Sequence, residues 1–481
     1  MSEMKSLAKD TAIYGLSSII GKFLNYLLVP LYTYALARTA DYGIVTNLYA
    51  WTALLLVLLT YGMETGFFRF ANREDYDPKT VYKTAYSTLL ITSALFTLLV
   101  VLLHQPIANV LGYSDHAEFV EMMFATVAID AFACIPFAYL RYQKRPILFA
   151  ALKILFVLLN IAFNILFLVI LGKTDVFYVF LSNILATTIQ TLCLLPFTLP
   201  RGGRFDGAVL REMLRYSLPL LVLGVAGIMN QTLDRILFPY LYTGADAQAQ
   251  LGIYGACFKV AMVMMMFTQA FRYAYEPFVF AKHKDRQSVE AYADAMKYYI
   301  IFSYLILLGV IFYLDIFRYI VSSAYWEGLK IVPIVLWTYV FQGIYFNLSF
   351  WYKLTDETKW GAYFSLIGLA ITLVLQIIGV PLIGYWASCG SSLVCYFVIM
   401  SLSYFIGQKK APIPYDLKSI GLYTVLTLVL LGVYYAVRLM TPLNMWWLMG
   451  VGTVLICIYV YVLTRKDFPL SQIVNRKSVH R

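Results

Sequence analysis

Fourteen apolar runs of membrane-spanning length follow one another along the chain, at roughly 12–36, 44–68, 80–103, 118–140, 147–171, 176–199, 216–240, 251–277, 297–320, 330–352, 360–380, 382–406, 417–438 and 444–464. A bilayer-crossing helix needs about 20 apolar residues, so these runs are numbered here as spans 1 to 14. Span 1 ends in Ala35-Leu36-Ala37, which imitates a signal-peptidase site, but its apolar stretch is too long for a signal peptide and is interrupted by Lys22 and Asn25. The break between spans 11 and 12 is placed at Pro381. Of the 481 residues 61% are apolar and 13% charged, against about 45–50% and 25% in soluble domains. Almost nothing remains for a water-soluble catalytic domain, and the chain reads as an all-α polytopic membrane protein of about 14 helices.

The net charge of +11 does not point to nucleic acid, because a binder would gather its cations on one surface and these sit in short breaks between apolar runs. Cytoplasmic segments retain Lys and Arg. With the N-terminus inside, 28 of the 37 cations fall in inner segments, five in outer ones (Arg38, Lys173, Arg318, Lys330, Arg438) and four within spans (Lys22, Lys153, Arg235, Lys259). Both termini are therefore expected in the cytoplasm and the protein in the cytoplasmic (inner) membrane. The longer polar breaks, 199–216 and 277–297, read as cytoplasmic connectors. Within the second, Val289–Lys297 fits an amphipathic surface helix, although a solvated loop is the simpler reading. The six Cys lie in apolar segments without metal-type spacing, so neither a disulfide framework nor a metal site is expected.

The chain also echoes itself. Residues 68–75 (FRFANRED) lie on 278–285 (FVFAKHKD), Tyr42-Gly43-Ile44 on Leu251-Gly252-Ile253, and Val29-Pro30-Leu31 on Phe238-Pro239-Tyr240. Spans 1 and 2 thus match spans 7 and 8. A repeat of six spans is even, so the halves share one orientation and are related by an axis along the membrane normal.

On these and further residues the sequence resembles a known family. They are residues 8–17 (AKDTAIYGLS), Asp41-Tyr42-Gly43, residues 271–278 (FRYAYEPF) and Tyr292-Ala293-Asp294. The family is the oligosaccharide flippases, in the polysaccharide-transport branch of the multidrug/oligosaccharidyl-lipid/polysaccharide exporter superfamily. The resemblance implies two pseudo-symmetric six-helix lobes around a central cavity, 1–200 (spans 1–6) and 205–408 (spans 7–12). Spans 13 and 14 (415–466) would be appended, with a cytoplasmic tail at 467–481. It further implies alternating access and a lipid-linked sugar as cargo, the route by which O-antigen and lipopolysaccharide repeat units reach the surface.

Ionisable residues within spans are costly and mark function or a structural pair. In span 1, Ser18, Lys22 and Asn25 share one face; Lys22 reads as a pyrophosphate contact or as the partner of Glu64 in span 2. In span 7, Gly227, Asn230 and Asp234 make a similar stripe, while Arg235 is turned about 100° away and is not required to pair with its neighbour. Asp234 and Lys259 lie at matching depth, an expected pair or switch. Arg272 in span 8 suits a phosphate, with Glu276 one turn on as its alternative partner; Arg272 and Lys259 face one cavity only if the helix bends. Asp130 and Lys153 are expected to pair between spans 4 and 5. The abundant Tyr, 40 in all, are assigned mainly to the interfaces.

The expected pyrophosphate contacts are therefore Lys22, Arg272 and Lys259, and the expected polar or gating residues are Ser18, Asn25, Glu64, Asn230, Asp234 and Glu276. This points to a flippase for undecaprenyl-pyrophosphate-linked oligosaccharides, a transporter and not an enzyme, with membrane lipid and polysaccharide polymerase or ligase machinery as further partners. No cofactor is expected beyond a coupling ion, Na⁺ or H⁺. The alternative is a cation-coupled multidrug exporter of the same superfamily, which would favour a cavity acid where span 1 has Lys22. A membrane glycosyltransferase would need a large outer loop; His104, Asp115, His116, Glu118 and Glu121 are the nearest approach to a site and read as a solvated loop.

Overall fold

A computed structural model describes residues 15, 20–21, 23–281, 287–355, 357–440 and 444–467, without the side chains of 274, 276–281 and 287–288. The described residues are mostly helical, with no strand among them. They include twelve helices long and apolar enough to cross a membrane, or thirteen if the bent pair Ala247–Val260 and Met262–Tyr273 is one span. These follow the expected spans 2 to 14; of span 1 the structure describes the helix Leu28–Ala35, while residues 12–14, 16–19 and 22 lie outside the described residues.

Local chemistry sets the ends. Asp77 caps span 3 (Pro78–Leu111) by accepting from the Thr80 amide at 3.1 Å, with Pro78 at the first helical position. Gly112, at φ 79°, ends it in the left-handed conformation that glycine adopts without a Cβ penalty. Span 2 breaks where Tyr61 and Gly62 are both left-handed, leaving Thr39–Thr60 and Met63–Ala71. Spans 11 and 12, Lys359–Ile383 and Tyr385–Lys410, meet at Gly384 and not at Pro381, because Pro381 is accommodated in the last turn. The segment from Val289 to Lys297 is neither a solvated loop nor a separate surface helix: it opens the continuous helix Gln287–Phe312 of span 9.

Spans 2 to 6 pack on one another, spans 7 to 12 likewise, and spans 13 and 14 lie against span 9. Tyr residues do much of this joining, contrary to their assignment to the interfaces. Tyr254, Tyr299, Tyr325, Tyr423, Tyr434 and Tyr459 are fully buried. The Tyr459 hydroxyl donates to the Ile301 carbonyl at 2.9 Å and that of Tyr434 to Phe312 O at 3.3 Å. A tyrosine can span the gap between helices with an apolar ring and satisfy its one polar atom at the far side. Lys297 anchors the other end of this packing, 3.3 Å from Asp467 and 4.0 Å from Asp416.

The halves meet along a seam of small residues. Thr39, Gly43 and Thr46 of span 2 face Gln248, Gly252 and Gly255 of span 8, each set spaced i, i+4, i+7 on one helix face. The contact is reciprocal. A Cβ on Gly43 would collide with the Gln248 carbonyl, and one on Gly252 with the Thr39 carbonyl. Corresponding residues of the two sets differ by the offset that aligns Gly43 with Gly252 in the repeat, so this is the self-complementary contact of a two-fold axis, here within one chain.

Candidate functional site

Next to this seam, toward the middle of the helices, lies a cavity of about 440 Å³, within the range of about 300–1,000 Å³ usual for small-molecule sites. Its charged lining residues are Asp130 from span 4, Arg235 from span 7 and Lys259 from span 8; Asn25, Tyr49, Asn160 and Asn183 are among the polar ones.

Span 7 (Gly207–Leu241) and span 8 build the cationic wall. Asp234 is buried, accepts a hydrogen bond from Tyr254 and lies 3.6 Å from Arg235 Nε. The expected Asp234–Lys259 pair is therefore absent, and the partner is the sequence neighbour that helix geometry seemed to turn away. The long guanidinium stem folds back far enough to reach one residue around the helix, and the Arg235 guanidinium also lies 4.6 Å from the Phe258 ring. From span 2, Asn47 donates to the Arg235 carbonyl at 2.7 Å and accepts from Tyr113 at 2.8 Å. Lys259 has no hydrogen bond or ion pair among the described residues and borders the cavity.

Other expected contacts lie elsewhere. Span 8 does bend, by 46°, yet Arg272 is carried away from the cavity and lies over the Phe346 ring at 3.4 Å. Glu64 pairs with Arg141 and accepts from Cys134 Sγ at 3.3 Å; its expected partner Lys22 lies outside the described residues. Asn230 donates to the Ser365 carbonyl at 2.8 Å, tying span 7 to span 11. Asp130 and Lys153 are not in contact: Lys153 Nζ sits 3.8 Å from the Phe137 ring centre. Ser18, Lys22 and the Glu276 side chain lie outside the described residues. Of the residues singled out, Asn25 and Lys259 line the cavity. Arg235, set aside in the sequence, lines it too; its lone placement as a cation inside an apolar span was the available signal.

The ends of the inter-lobe contact are both engaged. At the far end from the glycine seam, Gly66 of span 2 abuts Ser217 and Arg69 lies over Tyr216 at 4.1 Å. No group of three or more His, Cys, Asp or Glu able to hold a metal occurs among the described residues. What the cavity offers is a polar chamber with Lys259 and the Asp234-paired Arg235 on one side and Asp130 of span 4 also in its lining.

The model of a family described as polysaccharide biosynthesis protein matches residues 7–275. No curated protein matches the sequence. Among solved structures, the lipid II flippase MurJ in its inward closed conformation aligns with TM-score 0.75 at 14% identity, covering 94% of this chain and 98% of that one. An inward-facing multidrug resistance MATE family transporter of the MOP superfamily gives 0.66 at 12% identity, over 83% and 97%. The MATE multidrug transporter DinF-BH gives 0.59 at 17%, over 82% and 95%. At such identities the likeness shows a common fold.

Proposed function

The chain belongs to the polysaccharide biosynthesis protein family, and we propose that it is a flippase that moves undecaprenyl-pyrophosphate-linked oligosaccharide repeat units from the inner to the outer leaflet of the cytoplasmic membrane. The observation that carries this reading is the pair Arg235 and Lys259 on the wall of a polar cavity between the halves. A diphosphate crossing hydrocarbon needs its charge compensated where water is scarce; Arg235 supplies a planar donor fork and Lys259 a compact point charge. In this reading 1–200 and 205–408 are lobes that rock about the cavity, and 415–466 supports span 9. Both termini and the 467–481 tail are cytoplasmic. The Gly43–Gly252 seam closes the outer end and opens when the lobes change their tilt. Polymerase or ligase machinery would receive the product on the far side.

A second reading, a cation-coupled multidrug exporter, draws on Asp130, a cavity acid able to meet Na⁺, H⁺ or a cationic drug. Asp234 already pairs with Arg235, and it is Lys259, with no hydrogen bond or ion pair among the described residues, that favours the anionic cargo. Deleting the gene and assaying lipid-linked intermediates by leaflet tests the choice: the flippase reading expects inner-leaflet accumulation that Lys259→Gln fails to relieve. Normal outer-leaflet delivery in the deletion strain, with heightened sensitivity to cationic drugs, would support the exporter.

A further inference from the structure

The charges of the cavity are segregated, with Arg235 and Lys259 on spans 7 and 8 and Asp130 alone on span 4. Asp130 lies thirteen residues from Ala117 and Lys259 twelve from Ala247, or about 20 Å and 18 Å along their helices at 1.5 Å per residue, so they stand at similar depth on different lobes. A diphosphate held by the cations places the group attached to it toward Asp130. The Asp130 carboxylate has no hydrogen bond and no ion pair within 4.0 Å among the described residues; the cation that acts on it is Lys153 of span 5, and an ionised carboxylate only accepts.

The cavity it lines also holds amides and a tyrosine hydroxyl. Asn183 donates to the Tyr49 hydroxyl at 2.6 Å, which leaves that hydroxyl its proton to give. Asn160 Oδ1 accepts from Asn164 at 3.0 Å, which leaves the Asn160 amide nitrogen as a donor. Resting on the flippase reading, we propose that Asp130 is a specificity-determining residue. With Asn160, Asn183 and Tyr49 it forms a subsite for the sugar next to the diphosphate, accepting from hydroxyl or amine donors and rejecting a sugar that carries a carboxylate there. A neutral hexose or N-acetylhexosamine satisfies both the acceptor and the mixed amide groups. A uronic acid sets a second negative charge against Asp130, a built-in clash of the kind that yields specificity.

The test uses the purified full-length protein in lipid nanodiscs. Binding is measured for three ligands, a short-chain polyprenyl diphosphate alone, the same lipid bearing an N-acetylhexosamine, and the same lipid bearing the corresponding hexuronic acid. The wild type should prefer the neutral sugar over the acid by about tenfold or more, and Asp130→Asn should shrink the gap below about threefold while leaving the bare lipid within about twofold. Asp130→Ser carries the same expectation should the first variant fail to remain monodisperse. Equal wild-type affinity for the two glycolipids overturns the proposal, as does a gap that survives both variants. A change confined to the pH or Na⁺ dependence of transport also overturns it and makes Asp130 a coupling acid. Wild-type protein that binds none of the three ligands defeats the flippase reading itself, whereas binding of the bare lipid without sugar discrimination defeats this subsite alone.

Discussion

Gly252→Ala probes the seam on which alternating access would turn. A methyl there would stand 2.9 Å from Gly43 N and 3.0 Å from the Thr39 carbonyl carbon, closer still to its oxygen, where ordinary contact begins at 3.4 Å. These neighbours are backbone and cannot rotate aside, so spans 2 and 8 must part by about an ångström or more, and overpacking of this kind costs about 1–3 kcal/mol. Charged against a two-state equilibrium, that favours the conformation with the seam open by about 5–150-fold. Gly255→Ala should do less, because its methyl meets the Thr46 hydroxyl at 2.5 Å and that side chain can turn. The assay is reaction of a cavity thiol, Thr126→Cys, with an impermeant maleimide applied to sealed vesicles of each orientation, in a background lacking the exposed Cys193 and Cys457. Labelling from the seam side should accelerate in the order Gly255→Ala, then Gly252→Ala, with Gly43→Ala matching the latter by the reciprocity of the contact. Gly432→Ala, with nothing within 4 Å, is the control. An unchanged rate from both faces in Gly252→Ala and Gly43→Ala protein of normal abundance would refute the argument that this seam is a gate.

Further outcomes follow from the same geometry. Arg235→Ala should lower membrane abundance, because it strands the buried Asp234 at a cost of about 3–5 kcal/mol, whereas Lys259→Gln should leave abundance intact and depress binding of polyprenyl diphosphate; quantitative blotting and nanodisc binding separate the two. Arg272→Ala should reduce thermal stability by about 0.5–2 kcal/mol through loss of its stacking on Phe346, with transport per folded molecule retained, and a transport defect at unchanged melting temperature would restore Arg272 as a cargo contact. Lys297→Met leaves Asp467 without its cation but with its Tyr423 hydrogen bond, and should cost about 1–3 kcal/mol, read as a lower melting temperature in detergent; an unaltered transition would mean that spans 13 and 14 are held by their apolar packing alone. Single Cys residues at 246 and 283 fix the topology, with external labelling expected at 246 only.

Hydrophobic run length and charge placement are local properties, and they determined the helices. Spans 2 to 14 run where the apolar stretches run, because hydrocarbon thickness sets their length and the chain must remain helical throughout it. The repeat was equally legible: Gly43 and Gly252 stood out as matched positions before their contact was known, since a glycine face is written in the sequence wherever two backbones must touch. Helix face and depth could also be counted, the first marking Asn25 and the second Lys259. Partner choice could not. Rotation about each helix axis, the bend at Ala261 and the reach of a flexible side chain combine contributions from several spans, so Asp234 went to its own neighbour and Lys153 to the Phe137 ring. A lysine or arginine stem is long enough to choose among several counter-charges, and which one lies within reach is decided by the packing of helices far apart in the chain. Only the tertiary structure brought Asp130, Arg235 and Lys259 to the wall of one cavity.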